Sequence, residues 1–543
     1  MMLHLRTIFG AWRAPRRLSL AAAAGILFLI TGCSVGPDYV RPPTAAPEAY
    51  KEKAGWKVAQ PRDELPRGRW WEVYNDPQLN ALVEQVDISN QNIAAAEANF
   101  RQALALIRIA RAAYFPTLTG GASWTRFRNS ENLGGGTRSA SVGNAPGVSG
   151  GSAGGGGFGA LGGNTVSNYL LTSNASWELD IWGKVRRSVE SSQASAQASA
   201  ANMEVVRLSA QATLAQSYFQ LRALDEQKRL LNKTAAAYRK IYDYNKNRYA
   251  VGVASRNDVL LAETQLKTAQ AQAIDLGVLR SQLEHAIATL LGKPASVFTI
   301  PAAPVAMKVP SVPAGVPSEL LERRPDIATA ERNMAAANAQ IGVALAAYYP
   351  TLTLSGTGGF QASNPAQWFA WPSRFWSLGA AAAETLFDGG LRGGQTDAAR
   401  AVYDSTVATY RQTVLTGFQE VEDNLAALRI LEDESKVQKE AVKAAVRSLE
   451  ISTNQYRAGT INSIDLLVVE TVALNNQRTE ITILGNRMSA SVLLIKALGG
   501  GWKASDLPLA ANRPPAVKAT VKRSEQRDHP EGLAGLSLAE EER

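Results

Sequence analysis

The chain has 543 residues, of which 45% are hydrophobic and 19% are charged, a balance that excludes both a disordered chain and a bundle of membrane-spanning helices. Its one cysteine, Cys33, excludes intrachain disulfides and cysteine-rich metal sites. Because only three histidines are present, histidine-based triads and metal sites have almost no candidates. We therefore expect a protein that is not an enzyme and that needs no cofactor or metal.

The N-terminus has the features of an export signal. Three arginines between positions 13 and 17 precede an apolar run over residues 18–30. Thirteen residues are too few for a membrane-spanning helix but fit the apolar region of a signal peptide. The run ends in Ile30-Thr31-Gly32-Cys33, which resembles a bacterial lipoprotein cleavage site. We predict that residues 1–32 are removed and that Cys33 carries lipid, palmitate included; an ordinary signal peptide with a chance cysteine is the alternative.

Two features of the mature chain bear on its location and partners. Ser34 follows the cysteine, where an aspartate would indicate retention in the inner membrane, so the outer membrane of a Gram-negative cell is the expected destination. Removing residues 1–32 takes away four arginines and no acidic residue, so the net charge falls from +9 to +5. Such a low charge density excludes a nucleic-acid-binding surface.

The most informative feature is an internal repeat. Residues 112–119 recur as residues 346–353, 234 positions later, and six residues within 249–264 recur within 456–471 at an offset of 207. Two matches in the same order predict two structural repeats. The smaller second offset assigns about 27 extra residues to the first half. The glycine-rich stretch over residues 129–164 accounts for them and is expected to be an exposed loop.

Each repeat is predicted to contribute one pair of strands. Apolar and polar residues alternate from Tyr169 to Ile181, over a length that is unusual for a strand of a soluble protein. The same alternation covers residues 351–360, and a weaker, alanine-rich return strand is expected over residues 375–387. The pattern is typical of transmembrane β-strands, with apolar side chains facing lipid and polar side chains facing a lumen.

The remaining sequence is predicted to be mainly helical. Proline is absent from residues 147–293 and 373–507, where small and apolar residues are abundant. Three helices are expected in each half, over residues 81–113, 184–248 and 258–291 and then over residues 318–347, 391–455 and 465–498. At a rise of about 1.5 Å per residue, a helix of 65 residues would be about 100 Å long.

Composition and the repeat divide the chain into consecutive segments. After the signal peptide we expect a lipid-anchored extended segment, a first repeat with strands around residues 115–182, a linker, a second repeat with strands around residues 349–387, and a disordered polar tail. The boundaries of these five segments are 33–80, 81–293, 294–317, 318–499 and 500–543.

Four strands per chain require partner chains. An open sheet edge in hydrocarbon leaves backbone groups without hydrogen bonds, so four strands cannot stand alone in a membrane. Two chains would give eight strands and a filled interior, whereas three chains would give twelve strands and a lumen. The small side chains on the polar strand faces fill a core poorly, and they favour the trimer.

Seven motifs, in this order, resemble the outer-membrane factor (TolC-like) family of tripartite efflux systems, in its lipoprotein OprM/NodT-like branch. They are residues 33–39 (CSVGPDY), 70–71 (WW) with 76–79 (DPQL), 177–183 (WELDIWG), 321–327 (LERRPDI), 348–350 (YYP), 386–390 (LFDGG) and 420–423 (EVED). The resemblance extends over about residues 33–500.

The resemblance implies both an architecture and a function. The architecture is a homotrimer with a twelve-stranded transmembrane β-barrel in the outer membrane and a long α-helical barrel in the periplasm. The function is a passive exit duct for drugs or other small solutes, fed by an inner-membrane pump through a periplasmic adaptor protein. Two alternatives stay open: an exit channel for protein secretion (type I), and a coiled-coil structural or adaptor lipoprotein.

The resemblance also implies a role for the two helix breaks. The turns that contain Tyr249 and Gly252, and Tyr456 and Gly459, would form the periplasmic tips, where the channel closes and meets the adaptor. A glycine is expected where the backbone reverses between antiparallel helices.

Two aspartates follow these breaks and have two interpretations. Asp258 and Asp465 are either charges that stabilise a helix N-terminus or an acidic ring at the constriction of the channel. Val468 occupies a position where several relatives carry an acidic residue, so the chemistry of the gate departs from the family pattern here.

Overall fold

The computed structural model describes residues 34–43, 50–51, 69–128, 165–303, 308–310 and 323–501. The predicted signal peptide, Cys33, the glycine-rich stretch and almost all of the predicted tail lie outside the described residues, as do parts of the predicted extended segment and linker.

Helices account for most of the described chain, and they recur with equal lengths in the two halves. Two helices have 67 residues, two have 35 and two have 22. The elements in chain order are α1 (Pro77–Ser89), α2 (Gln91–Ala112), β1 (Thr117–Arg128), β2 (Thr165–Glu178), α3 (Lys184–Ala250), α4 (Arg256–Leu290), α5 (Pro325–Ala346), β3 (Thr351–Ala362), β4 (Arg374–Ala383), α6 (Leu391–Arg457) and α7 (Ser463–Ala497). Among the described helices, none has a stretch both long enough and apolar enough to cross a membrane.

The shorter helices are stacked end to end beside the long ones. Both α2 and α4 pack against α3, and both α5 and α7 pack against α6. At the first junction the Asn90 side-chain amide donates to the Leu290 carbonyl over 2.8 Å. At the second, the Arg324 guanidinium donates to the Ala497 carbonyl over 3.0 Å. The carbonyls at the C-terminal ends of α4 and α7 are thus satisfied by the chain that begins α2 and α5.

The N-terminal part of the predicted first helix differs from expectation. The sequence predicts one helix over residues 81–113, but the structure has two, because Asn90 adopts an extended conformation and its side chain caps α2. The predicted extended segment also ends before residue 80. A 3-10 helix covers Trp70–Tyr74, and α1 begins at Pro77, where Asp76 accepts hydrogen bonds from the first helical N–H groups. Local capping by asparagine and aspartate decides both boundaries.

The four described strands form one antiparallel sheet in the order β1-β2-β3-β4. Directly paired residues lie on the same face of the sheet. One face carries the row Leu118, Ala175, Gly356 and Leu378, and the other carries the row Thr119, Asn174, Thr357 and Ser377. The predicted alternation of apolar and polar side chains therefore separates the two faces of the sheet.

Two strand ends differ from the sequence prediction. The alternation predicts β2 as far as Ile181, but the strand ends at Glu178, because Asp180 turns to cap α3. The return strand is predicted as far as Phe387, but β4 ends at Ala383. The exposed Leu386 and Phe387 belong to the turn that leads to α6.

The largest core cluster lies where α1 packs against the long helices. It joins side chains from α1, α3, α5, α6 and α7, and its fully buried members include Trp70, Leu79, Tyr218, Met334 and Tyr410. The Trp70 indole donates to Gln211 over 3.0 Å. The Tyr218 hydroxyl donates to Asp76 over 2.7 Å. The motifs at residues 70–71 and 76–79 are therefore packing and capping elements of this core.

Candidate functional site

Each strand pair joins a long helix through a turn of the same design. Asp180 accepts hydrogen bonds from the Val185 and Arg186 N–H groups, at 2.8 and 3.0 Å. Asp388 accepts hydrogen bonds from the Gly390 and Arg392 N–H groups, which are two and four residues further along the chain, at 3.0 and 3.3 Å. The intervening Gly183 has φ of 83° and Gly390 has φ of 93°, a region that favours glycine. These turns set the direction in which the helices leave the sheet.

Aromatic side chains reinforce the strand–helix junction. The Trp177 indole donates to the Tyr114 carbonyl over 3.0 Å, and the Trp182 indole donates to the Pro350 carbonyl over 2.8 Å. Trp182 also stacks on Tyr349, with ring centroids 4.8 Å apart. Each indole thus buries apolar surface while its N–H keeps a partner. The motifs at residues 177–183 and 348–350 hold the two strand pairs together at this level.

The chain that follows Cys33 is fixed at the same junction. The Val35 N–H donates to the Trp182 carbonyl over 3.1 Å, and Arg187 contacts Asp38 over 2.8 Å. Gly36 packs so closely on Gly342 that a Cβ added to Gly36 would lie 2.5 Å from the Gly342 Cα. Residues 34–38 therefore start at the boundary between sheet and helices, although Cys33 itself lies outside the described residues.

The opposite ends of the long helices carry two turns of one design. Gly252 and Gly459 have φ of 76° and 75°, and each donates its N–H to the carbonyl of a tyrosine three residues earlier, Tyr249 or Tyr456, over 3.0 Å. A Cβ at either glycine would meet nothing within 4 Å. The left-handed turn, rather than close packing, therefore requires glycine at both positions.

The two equivalent tyrosines occupy different environments. Tyr456 is 5% exposed, its hydroxyl donates to Asn245 over 2.8 Å, and its ring packs edge-on against Tyr244. Tyr249 is 47% exposed. Tyr456 therefore ties the two helical hairpins together, whereas Tyr249 presents its ring at the surface of the tip. The predicted contact of both tyrosines with an adaptor stays a prediction.

The aspartates that follow the turns also differ. Asp258 forms a reciprocal capping box with Ser255: the Ser255 hydroxyl accepts from the Asp258 N–H over 3.1 Å, and the Asp258 carboxylate accepts from the Ser255 N–H over 3.1 Å. The carboxylate also accepts from the Ser463 hydroxyl over 3.2 Å, which links the two turns. The hydrogen bond from the Ser255 side chain lowers the pKa of Asp258. The contribution of this cap to stability is therefore present at neutral pH and lost in acid.

Asp465 has no such role. Asn462 caps α7 by accepting from the Asp465 N–H over 2.8 Å, and the Asp465 carboxylate is exposed and accepts no hydrogen bond from the described residues. Val468, one turn further along the helix, is also exposed. The geometry of Asp258 supports the interpretation as a helix cap, and the acidic ring stays a prediction for which Asp465 is the better candidate.

A buried carboxyl group on α7 was not singled out by the sequence. Glu470 is 9% exposed, and its Oε2 accepts no hydrogen bond from the described residues. It lies beside Tyr238 and one turn from Leu467, which packs with Leu266 in a small apolar cluster. Burial raises the pKa of Glu470 from 4.5 to about 7. The repeat matches Glu470 to Glu263, which is half-exposed, so only the fold distinguishes the two.

In the part of the chain that the structure describes, no group of histidine, cysteine, aspartate and glutamate side chains is placed to hold a metal ion. The architecture of the described residues has three main features: an amphipathic sheet, long helices that leave one end of it, and two turns at the far end of the helices.

Comparison with known proteins identifies the family to which the chain belongs. The sequence profile of the family described as "Outer membrane efflux protein" matches residues 82–293 and 316–500. The chain belongs to this family. Its members and relatives are channel proteins, so this chain is an outer-membrane efflux channel. The two matched stretches correspond to the two halves recognised from the internal repeat.

Named relatives and solved structures agree with this assignment. The chain is 30% identical to the pyoverdine export outer membrane protein OpmQ of Pseudomonas aeruginosa, over 91% of this chain and 99% of the relative. It is 29% identical to the toluene efflux pump outer membrane protein TtgC of Pseudomonas putida, over 89% of this chain and 95% of the relative. The fold matches that of the outer-membrane channel OprN with a TM-score of 0.75 at 29% identity, over 87% of this chain and all of the OprN chain.

Proposed function

We propose that this outer-membrane efflux protein is the trimeric exit duct of a tripartite system that moves small solutes across the periplasm and the outer membrane. One observation carries the proposal: a four-stranded amphipathic sheet with two free edges, β1 and β4, continues into helices of 67 residues. In hydrocarbon those edges need partners, and the β4 edge of one chain is antiparallel to the β1 edge of the next.

Three chains best meet the need of the two sheet edges for partner strands. They supply twelve strands, enough to enclose a lumen. The polar row Thr119, Asn174, Thr357 and Ser377 then faces water, and the apolar row Leu118, Ala175, Gly356 and Leu378 faces lipid. Helices of matched length in the two halves support two structural repeats, and six long helices from three chains would line a periplasmic barrel about 100 Å long.

The duct would be passive, and its cargo would enter at the periplasmic end. An adaptor protein and an inner-membrane pump would supply cargo at the tip formed by the turns around Gly252 and Gly459. Exit of a secreted protein is the second candidate function, and it is weaker because that branch of the resemblance usually lacks the lipid anchor predicted at Cys33. A coiled-coil structural lipoprotein is weaker still, since it has no use for the amphipathic sheet.

The function is tested by deleting the gene and measuring retention of a fluorescent efflux substrate. We expect the deletion strain to retain dye several-fold longer than the parent, and plasmid-borne wild-type chain to restore efflux. The secreted proteins of the two strains are compared in parallel. Unchanged retention across a panel of dyes and antibiotics, with one secreted protein lost, would replace the solute duct by the protein-secretion channel.

We also propose that Cys33 is lipidated and that its acyl chains lie in the inner leaflet of the outer membrane. Val35 and Gly36 are fixed where the strands end and the helices begin, which is the level at which a membrane-spanning sheet meets the periplasm. A lipid on the residue before Ser34 would then reach the leaflet without any rearrangement of the described chain.

Replacing Cys33 by alanine is expected to abolish labelling of the protein with radioactive palmitate, because the thiol is the acylation site. The Ser34→Ala variant is the matched control and should label like wild type. Both variants should still fractionate with the outer membrane, because the strands retain the protein there. A wild-type chain that takes up no palmitate would establish the plain signal peptide instead.

We propose further that Asp465, rather than Asp258, contributes to the constriction at the tip. Its exposed carboxylate is repeated three times in a trimer, whereas the Asp258 carboxylate is engaged in the cap of α4. In planar bilayers Asp465→Ala is expected to raise the single-channel conductance. Asp258→Ala should leave conductance unchanged and lower stability by about 0.3–1 kcal/mol, the usual contribution of a charge at a helix N-terminus. Equal conductance of wild type and Asp465→Ala would exclude the acidic ring.

A further inference from the structure

Arginines occupy the outer end of the apolar face of the sheet. Arg126 lies two residues beyond Trp124, which pairs with Tyr169, so Arg126 is on the same face as these rings. Arg374 pairs with Phe360, which pairs in turn with Leu171. Both arginines are exposed, and each lies within two residues of the strand end that is remote from the helices. Arg128, the last residue of β1, shares this face.

Aromatic rings surround this end of the sheet. The Arg374 guanidinium lies 3.6 Å from the centre of the Trp371 ring, close enough for a cation–π contact. Trp368 stacks on Phe369 at 5.0 Å and contacts Tyr169 at 5.6 Å. Aromatic side chains of this kind mark the level of the lipid headgroups in membrane β-barrels, where an amphipathic ring meets both phases. In the proposed barrel, the two arginines would therefore lie at the level of the lipid headgroups.

The charge at this end is not balanced within the described strands. Their only acidic residue is Glu178, at the opposite end of β2, where it contacts Lys184 over 3.1 Å. Arg126 and Arg374 form no ion pair with the described residues. An arginine on a lipid-facing surface is unfavourable unless an anion or water accepts its hydrogen bonds, and phosphate accepts them in bidentate geometry.

The two arginines lie on the two edge strands of the sheet. Arg126 is on β1 and Arg374 is on β4. This step rests on the proposed function: closing the barrel places β4 of one chain beside β1 of the next, so Arg374 of one chain and Arg126 of its neighbour reach the same rim. Each of the three junctions of a trimer would then present a pair of guanidinium groups to the outer leaflet.

We propose that the junctions between neighbouring chains bind phosphorylated lipid of the outer leaflet through Arg126 and Arg374. The guanidinium groups bind the phosphate. Trp371 and Trp376, an exposed residue two positions beyond Arg374 on the same face of β4, pack against the sugar and acyl portions of the lipid. Charge complementarity selects this occupant over a zwitterionic lipid, because the latter brings its own cation to the site. Lipid bound in this way would bridge two chains and stabilise the trimer.

The experiment uses the full-length trimer in nanodiscs of phosphatidylcholine with and without lipid A that carries two phosphates. We expect lipid A to raise the apparent melting temperature of the wild-type trimer, and lipid A treated with phosphatase to lose most of that effect. The variant with Arg126→Gln and Arg374→Gln should retain at least threefold less lipid A after washing than wild type. The matched control replaces two exposed helix arginines, Arg229→Gln and Arg447→Gln, and should retain as much lipid as wild type.

Three outcomes would overturn the proposal. The double variant and wild type could retain equal amounts of lipid A. Inorganic phosphate, at the same concentration as lipid A, could raise the melting temperature of the trimer as much as lipid A does. That result would identify a small-anion site instead of a lipid site. The double variant with lysine at both positions keeps the charge. If it bound no more lipid than the glutamine variant, charge would be excluded as the cause of binding. Size-exclusion chromatography of the wild type tests trimer formation independently, so failure of the duct is distinguished from failure of the lipid site.

Discussion

Replacing Arg324 by alanine is expected to lower the free energy of unfolding by about 3 kcal/mol. Arg324 is 6% exposed and joins three helices: it donates to Asp326 at the start of α5, to Glu420 on α6 and to the Ala497 carbonyl at the end of α7. The substitution leaves two carboxylates without their cation and one carbonyl without a donor. Because both carboxylates retain some contact with water, the expected loss lies at the low end of the range for a broken buried pair.

The measurement is denaturant unfolding of the purified protein followed by far-UV circular dichroism. Arg447→Ala is the control, because Arg447 forms an ion pair of similar length with Glu450 but both side chains are exposed. Exposed pairs of this kind contribute about 0–1 kcal/mol. Equal losses for the two variants would show that Arg324 does not hold the helix ends together.

Replacing Glu470 by glutamine is expected to stabilise the protein at alkaline pH and to have little effect in acid. The pKa of Glu470 is raised from 4.5 to about 7, so the folded chain binds a proton that the unfolded chain releases. Stability is therefore unaffected by this group below pH 4.5 and falls as the pH rises from there to about 7. Since one pKa unit corresponds to about 1.4 kcal/mol, the full penalty above that window is about 3 kcal/mol.

The comparison is made by unfolding wild type and Glu470→Gln at several pH values on both sides of this window. The titratable side chain that faces Glu470 from α3 is Tyr238, which stays protonated throughout. Glu263→Gln serves as the control, because Glu263 is the equivalent residue of the first half and is half-exposed. A difference between Glu470→Gln and wild type that does not change with pH would contradict the buried, proton-binding state.

The long helices and the strand pairs were predictable because their signals are local and extended. The predicted helix over residues 184–248 differs by two residues from the observed Lys184–Ala250, and the predicted 391–455 differs by two from Leu391–Arg457. Long stretches without proline and repeated turn glycines are sufficient for this accuracy. The alternation that predicted the strands reflects a two-residue period that is fixed by the pleat of the sheet.

The missed features depend on tertiary contacts. Asn90 interrupts a helical pattern because its side chain finds both an N–H group of α2 and the Leu290 carbonyl of α4. Tyr249 and Tyr456 match in the repeat, yet only Tyr456 meets Asn245 in the interior. Glu263 and Glu470 match in the same way, yet only Glu470 is buried. An internal repeat in sequence thus predicts equal backbone turns but not equal side-chain environments.

The most direct test of the trimeric duct is electron microscopy of the detergent-extracted protein in negative stain. We expect particles with threefold symmetry, a detergent belt around a short barrel, and a hollow shaft of about 100 Å, the length of the two long helices. A monomer, or a solid rod with no detergent belt, would contradict the duct and would leave a structural lipoprotein in its place.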